Sequence, residues 1–189
     1  MTGSKIGTHS IVSEKAKIGK NVTIGRFCIV EDKVKIDDDA VIGDYSLIQA
    51  DSIIGAGTKF GTYTKIGNNV EIGANCSFTS YCEIRDRCKI GNNVRMGSRC
   101  TLSAGTVIED FVNIKYSTVI ADTPDLLKDN QKSVGCIKEG ARIGANVTIM
   151  PGVVIGRNSE IGACSQVRHN VPDNEIWYGN PSKFFKKTT

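Results

Sequence analysis

An apolar residue recurs at every sixth position through most of this chain. The series runs without a gap from Ile6 to Ile120, and it resumes in a new register from Ile137 to Val167. A period of six fits neither the 3.6-residue turn of an α-helix nor the two-residue alternation of a single strand. Fixed periods of this kind are typical of solenoids, in which equivalent repeats stack on one another. The sequence therefore predicts a β-helix in which each hexad is one short strand and one corner.

The residues after the apolar position support this prediction. Glycine often follows directly, as at Gly19 and Gly67, and Asn or Asp recurs two positions later, as at Asn21 and Asn69. Gly, and less often Asn, tolerates the positive φ that a tight corner requires. The chain is therefore expected to turn every six residues.

The seven cysteines follow the same period. Five of them fall two residues before an apolar hexad position, in a slot that small residues otherwise fill: Cys28, Cys76, Cys82, Cys88 and Cys100. We expect these five to be small buried hydrophobes. Cys136 and Cys164 lie off this slot and are expected to be more exposed. The odd count and the lack of CxxC spacing argue against a disulfide framework or a zinc site.

Composition excludes several classes of protein. The 189 residues are enough for one domain with a sizeable core. The net charge of +4 is small and both signs are interspersed, so nucleic-acid binding is not indicated. No apolar run approaches the roughly 20 residues of a membrane span, and the first residues lack the apolar core of a signal peptide. We therefore expect a cytoplasmic protein.

The repeat resembles the hexapeptide repeat of left-handed parallel β-helices, an all-β fold. Four stretches near the end resemble the last coils of hexapeptide-repeat acyltransferases, most closely the group that N-acetylates amino sugars carried on nucleotides: 140–149, 156–163, 170–172 and 179–183. The resemblance implies a triangular prism with 18 residues in each coil, a homotrimer, and acetyl-CoA bound in clefts between neighbouring prisms. It predicts a prism over 1–167 with an excursion loop at 121–134. Residues 168–189 would form an extended cap with a short helix at 183–187.

A period of 18 assigns residues to faces and corners. If the loop interrupts one corner, Ile143 and Ile161 return to the face of Ile114, and Tyr116, Ala145 and Ala163 stack at one corner. The resemblance implies that Ala145 and Ala163 contact coenzyme A. It also implies that Arg168 and Lys183 contact its phosphates. A plain corner role for the alanines and solvated surface charges remain the alternatives.

The catalytic group is harder to assign. Many members of the resembling family have a histidine at the position of Tyr116, but this chain has two histidines, His9 and His169, and neither is placed for that role. Tyr116 is a poor general base but a hydrogen-bond donor. Asp122, at the root of the loop, matches an aspartate of the amino-sugar group. We take both as catalytic candidates; structural roles, or a loss of activity, are the alternatives.

The same corner continues downward and suggests an acceptor site. Ser98, Arg99 and Tyr81 lie below Tyr116, and Arg85 belongs to a nearby arginine cluster that would suit a diphosphate. A solvated face or salt bridges of the trimer would explain these arginines equally well.

We conclude that the sequence favours an acetyl-CoA-dependent N-acetyltransferase of an amino sugar, with no metal site. An alcohol needs a base more than an amine does, so sugar O-acetylation is the less favoured alternative. Metal-dependent hydration, as in carbonic anhydrases of this fold, requires three histidines. A non-catalytic scaffold would fit the missing base.

Overall fold

The hexads form a left-handed parallel β-helix of about nine coils, as predicted. The computed structural model describes residues 3–123 and 133–188. Most of the predicted excursion loop, residues 124–132, lies outside the described residues. Among the described residues, no helix is long and apolar enough to cross a membrane.

Each hexad contributes a strand of two residues. In most strands the first residue points outward and the second, the apolar one, is buried. In chain order, β1 to β26 are Lys5–Ile6, Ile11–Val12, Lys17–Ile18, Thr23–Ile24, Ile29–Val30, Lys35–Ile36, Val41–Ile42, Leu47–Ile48, Ile53–Ile54, Lys59–Phe60, Lys65–Ile66, Glu71–Ile72, Ser77–Phe78, Glu83–Ile84, Lys89–Ile90, Arg95–Met96, Thr101–Leu102, Val107–Ile108, Asn113–Ile114, Val119–Ile120, Cys136–Ile137, Arg142–Ile143, Thr148–Ile149, Val154–Ile155, Glu160–Ile161 and Gln166–Val167. Two longer strands follow, β27 (Glu175–Tyr178) and β28 (Lys183–Lys187).

Every third strand pairs in parallel, which gives three faces. The first face begins with β1, β4 and β7, the second with β2, β5 and β8, and the third with β3, β6 and β9. The register continues across the excursion, because Ile108 pairs with Ile137 and Ile114 pairs with Ile143. The predicted return of Ile143 and Ile161 to the first face is therefore confirmed.

Three corners join the faces. The first corner follows the first face and comprises 7–10, 25–28, 43–46, 61–64, 79–82, 97–100, 115–118, 144–147 and 162–165. The second corner follows the second face and includes 49–52, 67–70, 85–88, 103–106, 121–123, 133–135, 150–153 and 168–171. The third corner follows the third face and includes 19–22, 37–40, 55–58, 73–76, 91–94, 109–112, 138–141 and 156–159. Coils are counted from Lys5, so Tyr116 lies in the seventh coil.

The core is one column of stacked side chains inside the prism. Ile42, Ile48 and Ile54, one from each face of the third coil, are at most 1% exposed. Burying such a side chain fully contributes about 1.5–3 kcal/mol, so each coil adds its own share of stability.

The prediction for the cysteines is confirmed. The five in the interior slot are buried, Cys136 is partly buried, and Cys164 is exposed. Burial raises the pKa of Cys82 to about 12 and that of Cys88 to about 11. These two thiols therefore stay protonated at neutral pH and are poor nucleophiles.

The end of the chain covers the last coil as a β-hairpin. Strand β27 pairs in parallel with β25, and β28 pairs antiparallel with β27. The short helix expected at Lys183–Lys187 is wrong, because these residues form β28. A five-residue helix is too short to be stable alone, whereas the last coil offers an open sheet edge to which the hairpin adds strands.

Candidate functional site

The excursion leaves and rejoins the prism at the second corner of the seventh coil. The Ser133 backbone N–H donates to the Asp122 carbonyl at 2.9 Å, which closes the base of the loop. The Thr123 hydroxyl donates to the Asp122 carboxylate at 3.0 Å, and Asp122 is 8% exposed. Asp122 is therefore held in place where the loop begins.

Tyr116, Ala145 and Ala163 stack at the first corner of three successive coils, as predicted. The Asn146 N–H donates to the Tyr116 carbonyl at 3.0 Å, and the Cys164 N–H donates to the Ala145 carbonyl at 2.8 Å. The Tyr116 side chain is exposed. Asp122 lies on the next corner, beyond β20, so a single chain does not bring the two catalytic candidates to the same corner.

A regular hydrogen bond satisfies many corner N–H groups. At the second residue of a corner, the N–H often donates to a side-chain oxygen of the equivalent residue one coil above. Asp38 accepts from Lys20 at 2.7 Å, and Asp110 accepts from Asn92 at 2.7 Å. Asp or Asn at this position thus stabilises the coil below it.

The first corner lacks this acceptor in its upper coils. The N–H groups of Ser80, Ser98, Tyr116, Ala145 and Ala163 have no such partner among the described residues, and this is the longest such run in the part of the chain that the structure describes. We call these five groups the N–H column. Successive members are about 4.8 Å apart, one sheet spacing. The column offers a line of backbone donors to an extended ligand with carbonyl oxygens.

Glycines on the coils below lie directly against two members of this column. A Cβ at Gly144 would lie 2.5 Å from the Ala163 nitrogen, and one at Gly97 would lie 2.5 Å from the Tyr116 nitrogen. No real Cβ tolerates such a distance. Glycine at these two positions therefore permits the close approach of successive coils.

A groove of about 390 Å³ runs beside the upper part of the N–H column on the first face. Its lining includes Asn113, Lys115, Arg142, Gly144, Glu160, Gly162 and Ala163. Arg142 donates to Glu160 at 2.6 Å, whereas Lys115 has no ion pair among the described residues. Lys115 is thus available to an anionic ligand. Sequence reasoning missed it, although it stands where most coils have glycine.

The two basic residues predicted for the phosphates of coenzyme A lie at different corners. Lys183 pairs with Tyr178 in the hairpin, and the Tyr178 side chain packs over Gly162 at the first corner. Arg168 lies at the second corner, where its Nε donates to the Gln166 side chain at 2.6 Å. Both side chains are exposed at the same end of the prism.

Three of the four predicted acceptor residues share the first corner. The Ser117 N–H donates to the Ser98 carbonyl at 2.8 Å, and the Arg99 guanidinium lies 5.9 Å from the ring centroid of Tyr81. Arg85 does not join them. It lies at the second corner with Arg87, in a separate polar groove of about 360 Å³, so the expected arginine cluster is not formed.

The histidines lie far apart, His9 in the first coil and His169 in the ninth. Among residues 3–123 and 133–188, no group of three or more His, Cys, Asp or Glu side chains is arranged to hold a metal ion.

Known proteins share this repeat. A family model described as bacterial transferase hexapeptide (six repeats) matches residues 15–50, 51–86 and 137–169, more than half of the chain. The dTDP-3-amino-3,6-dideoxy-alpha-D-galactopyranose 3-N-acetyltransferase of Aneurinibacillus thermoaerophilus is 45% identical over 47 residues, 25% of this chain and 24% of that enzyme. The galactoside O-acetyltransferase of Lactococcus lactis subsp. lactis (strain IL1403) is 45% identical over 51 residues, 27% of this chain and 25% of that enzyme.

The gamma carbonic anhydrase 2, mitochondrial, of Arabidopsis thaliana is also similar, with 33% identity over 87 residues, 44% of this chain and 27% of that protein. Each of these three matches spans about a quarter of the relative's length.

Solved structures share the fold over nearly the whole chain. LpxA from Acinetobacter baumannii superposes with a TM-score of 0.86 at 19% identity, over 95% of this chain and 73% of that one. AntD, an N-acyltransferase from Bacillus cereus solved with dTDP and coenzyme A, superposes with a TM-score of 0.56 at 21% identity, over 100% of this chain and 85% of that one. Identities this low show a common fold.

Proposed function

Because the chain belongs to the bacterial transferase hexapeptide family, we propose that it is an acetyl-CoA-dependent acetyltransferase that N-acetylates an amino sugar carried on a nucleotide. The observation that carries the proposal is the N–H column, which lies beside a groove lined by Lys115, a lysine with no ion pair among the described residues. The similarity to an N-acetyltransferase of a dTDP-linked amino sugar favours this acceptor class.

Coenzyme A is a long chain with amide groups and a negatively charged end, and the upper coils offer a matching group for each part. Ala145 and Ala163 leave their backbone N–H groups accessible to the amide carbonyls of the pantetheine arm. Lys115, Lys183 and Arg168 supply positive charge to the phosphates of coenzyme A. The proposal includes a homotrimer and a cytoplasmic location, where acetyl-CoA is made and free thiols such as these seven stay reduced.

In the proposed reaction the protein positions the acceptor amine against the thioester and polarises the thioester carbonyl. The neutral amine of the acceptor attacks the thioester carbonyl, a C–N bond forms, and the C–S bond then breaks to release coenzyme A. An N–H group of the column donates to the oxyanion of the intermediate, and the Tyr116 hydroxyl donates to the thioester or the sugar. The amine's proton passes to water or to Asp122, which would have to come from a neighbouring copy.

The acceptor residues lie below the acetyl group in this proposal. Ser98, Arg99 and Tyr81 continue the first corner downward, where Arg99 would pair with a diphosphate. Arg85, on the second corner, would contribute from a neighbouring copy. A sugar hydroxyl is the alternative acceptor, favoured by the similarity to a galactoside O-acetyltransferase, and an inactive scaffold is the other alternative.

Cofactor binding can be tested without an acceptor. Cys164 is exposed beside Ala163, whereas Cys136 of the third face is partly buried and away from this corner. We expect acetyl-CoA at millimolar concentration, whose acetylated sulfur does not react with maleimide, to slow maleimide modification of Cys164 at least fivefold and to leave the rate at Cys136 unchanged. No protection of Cys164, together with no heat of binding in calorimetry, would refute the proposal.

The reaction itself is tested by release of the coenzyme A thiol with a panel of nucleotide-linked amino sugars and the matching hydroxyl sugars. We expect turnover with an amino sugar and a decrease of about 10²-fold in kcat for Tyr116→Phe, the size seen for loss of one oxyanion donor. Asp122→Asn should lower kcat and change its pH profile. Binding without turnover on any acceptor would favour the scaffold, and turnover on hydroxyl sugars alone would favour O-acetylation.

A further inference from the structure

The second strand of the terminal hairpin is not needed to close the prism. Trp177 of β27 packs against the core, and Val171, which bridges to Ile155, is 2% exposed. All five residues of β28, by contrast, are exposed. The segment from Val171 through β27 therefore covers the last coil, and β28 lies outside this cap with its side chains in solvent.

Two adjacent phenylalanines of β28 are among these exposed residues. Phe184 is 52% exposed and Phe185 is 53% exposed. Phe184 lies opposite Trp177 and Lys186 lies opposite Ile176, so Phe185 is the extra residue of a β-bulge. A bulge re-aims the side chains around it. Two large apolar side chains left side by side in solvent indicate an interaction surface.

The same strand is basic. Lys187 pairs with Glu175 at 2.6 Å, whereas Lys183 and Lys186 have no ion pair among the described residues. The Lys186 ammonium lies 5.9 Å from the ring centroid of Phe185. The hairpin has three lysines and one glutamate, a charge of +2, which is half of the chain's net charge of +4. Positive charge and exposed rings therefore occur together on β28.

Protection of a free sheet edge explains only half of this pattern. Lysines on an edge strand are a common guard against the addition of further strands. Exposed phenylalanines work against such a guard. The outward residues of the last strands of the first and second faces are polar, as at Arg142, Glu160 and Gln166. The two rings of β28 therefore depart from the surface next to them.

The size and charge of the patch indicate which partner it fits. Two half-exposed phenylalanines offer roughly 200 Å² of apolar surface, far less than the roughly 800 Å² that each partner buries in a standard protein interface. A lipid bilayer needs no matching shape. Aromatic rings enter the boundary between headgroups and acyl chains, and lysines are attracted to anionic headgroups. Rings flanked by lysines thus fit an anionic bilayer better than a protein surface.

We propose that β28 docks the end of the prism on an anionic lipid surface. Phe184 and Phe185 enter the headgroup boundary, and Lys186 lies against the lipid phosphates. The contact is at one end of the prism, so the three faces stay free of lipid. One chain carries the whole surface, so the proposal does not depend on acetyl transfer. In the proposed homotrimer the three hairpins would lie at the same end and strengthen the attachment together.

Vesicle binding by the full chain tests the proposal. We expect the protein to co-sediment with vesicles of phosphatidylcholine and phosphatidylglycerol and not with vesicles of phosphatidylcholine alone. Binding should weaken as salt is added, because salt screens the lysines. Trp177 is the single tryptophan of the chain and lies opposite Phe184. A lipid spin-labelled at its headgroup should therefore quench the fluorescence of Trp177 in the bound protein.

Variants with matched controls locate the contact. Phe184→Ser/Phe185→Ser should lower the affinity for phosphatidylglycerol vesicles about tenfold or more, and Lys186→Glu about fivefold or more. Phe111→Ser, at a 58% exposed ring of the third corner, and Lys59→Glu, at an exposed lysine of the first face, make the same changes away from this end. Both controls should bind as the wild type does. Circular dichroism and a thermal melt verify the fold of each variant.

Three results would overturn the proposal. The first is a wild-type protein that does not bind phosphatidylglycerol vesicles, including one that binds a single-stranded oligonucleotide through the same residues instead. The second is vesicle binding without quenching of Trp177. The third is binding that the controls weaken as much as the β28 variants do. Protection of Cys164 by acetyl-CoA is measured without lipid, so lipid docking and the proposed function fail separately.

Discussion

At the scale of single residues, one side chain decides whether a corner N–H is satisfied by the protein or left for a ligand. Ala145→Asp would place above Tyr116 the carboxylate that Asp38 and Asp110 supply elsewhere. The new hydrogen bond should leave stability unchanged or raise it by about 1 kcal/mol. It would also close the N–H column and repel the phosphates, so we expect at least a tenfold loss of acetyl-CoA affinity in calorimetry.

Ala56 allows a matched control for this prediction. It occupies the same place in the third corner, above Asp38, whose N–H has no side-chain acceptor among the described residues. Ala56→Asp should have the same small effect on stability and no effect on acetyl-CoA. If both variants bound acetyl-CoA as the wild type does, the column would have no part in binding.

A second prediction at this scale concerns the five rings that stack at the first corner from His9 to Tyr81, which we call the aromatic ladder. Positive φ at a non-glycine residue destabilises the fold by roughly 1–2 kcal/mol, and each stacked aromatic pair stabilises it by about 0.5–1.5 kcal/mol. Tyr45 stacks on both Phe27 and Tyr63, so the two effects nearly cancel. We expect Tyr45→Asn to change the free energy of unfolding of the monomer by no more than about 1 kcal/mol, measured by urea denaturation at low protein concentration. A loss of several kcal/mol would make the ladder a main support of the fold.

The period of six predicts from sequence alone where each residue lies in its coil. It does not predict which contacts a residue makes with the next coil. The interior place of Cys82 and the stacking of Tyr116 on Ala145 follow from counting along the chain. The N–H column exists because the equivalent residue one coil above has no side chain that accepts the N–H. Identifying that residue requires the register across the excursion, which the structure supplies. Lys115 was missed although it replaces the glycine that most coils have at this position, because its lack of an ion pair among the described residues can be read only from the structure.

At the scale of strands and corners, Glu109 binds the segment of chain that follows the excursion. Its carboxylate accepts from the Lys138 ammonium at 3.0 Å and the Glu139 N–H at 3.0 Å, and Arg157 lies at 3.7 Å. Burial alone would raise the pKa of Glu109, but these hydrogen bonds and positive charges together lower it. The folded state thus binds this proton less readily than the unfolded state. The stabilisation is present above the ordinary glutamate pKa and is lost as pH falls through the lowered value.

Glu109→Gln is therefore expected to lower the melting temperature at pH 7 by roughly 1–3 °C, as a loss of up to about 1 kcal/mol does for a chain of this size. The difference from wild type should shrink as the pH is taken below the ordinary glutamate range. Glu71→Gln is the control, since Glu71 pairs with Lys89 alone at 3.5 Å and is well exposed. Equal effects of the two variants, or a difference that persists in acid, would exclude this role for Glu109.

The strands themselves show where element prediction succeeds. The repeat predicts all twenty-six two-residue strands correctly, because the apolar residue of every hexad takes the same position in its coil. The tail at Lys183–Lys187 carries no repeat, and its basic composition suggested a helix. Its partner, β27, extends the first face, and a free sheet edge outweighs a weak helical preference.

At the scale of the whole molecule, the three-face register decides which surfaces of the lower coils lie under those of the upper coils. Deletion of residues 49–66 removes one complete coil and leaves every remaining residue on its face. In a solenoid each coil contacts only its neighbours, so the shortened prism should lose roughly 1–3 kcal/mol, the stability of about 18 residues. We expect it to assemble and to bind acetyl-CoA within about threefold of the wild type.

Deletion of residues 61–66 removes a single hexad and, like the longer deletion, removes Tyr63. The strands can still pair because the hexads are equivalent, but the lower coils turn by one face relative to the upper ones. The remaining rings below the cut then lie under a different corner from Tyr116, Ala145 and Ala163. If acetyl-CoA binds between neighbouring prisms of the proposed homotrimer, lower coils that present a different corner to the neighbour should disrupt that cleft. Acetyl-CoA affinity should therefore fall at least tenfold while the far-UV spectrum stays that of a β-helix. Equal affinity in the two deletion variants would show that the column binds its ligand within one prism, without a neighbouring copy.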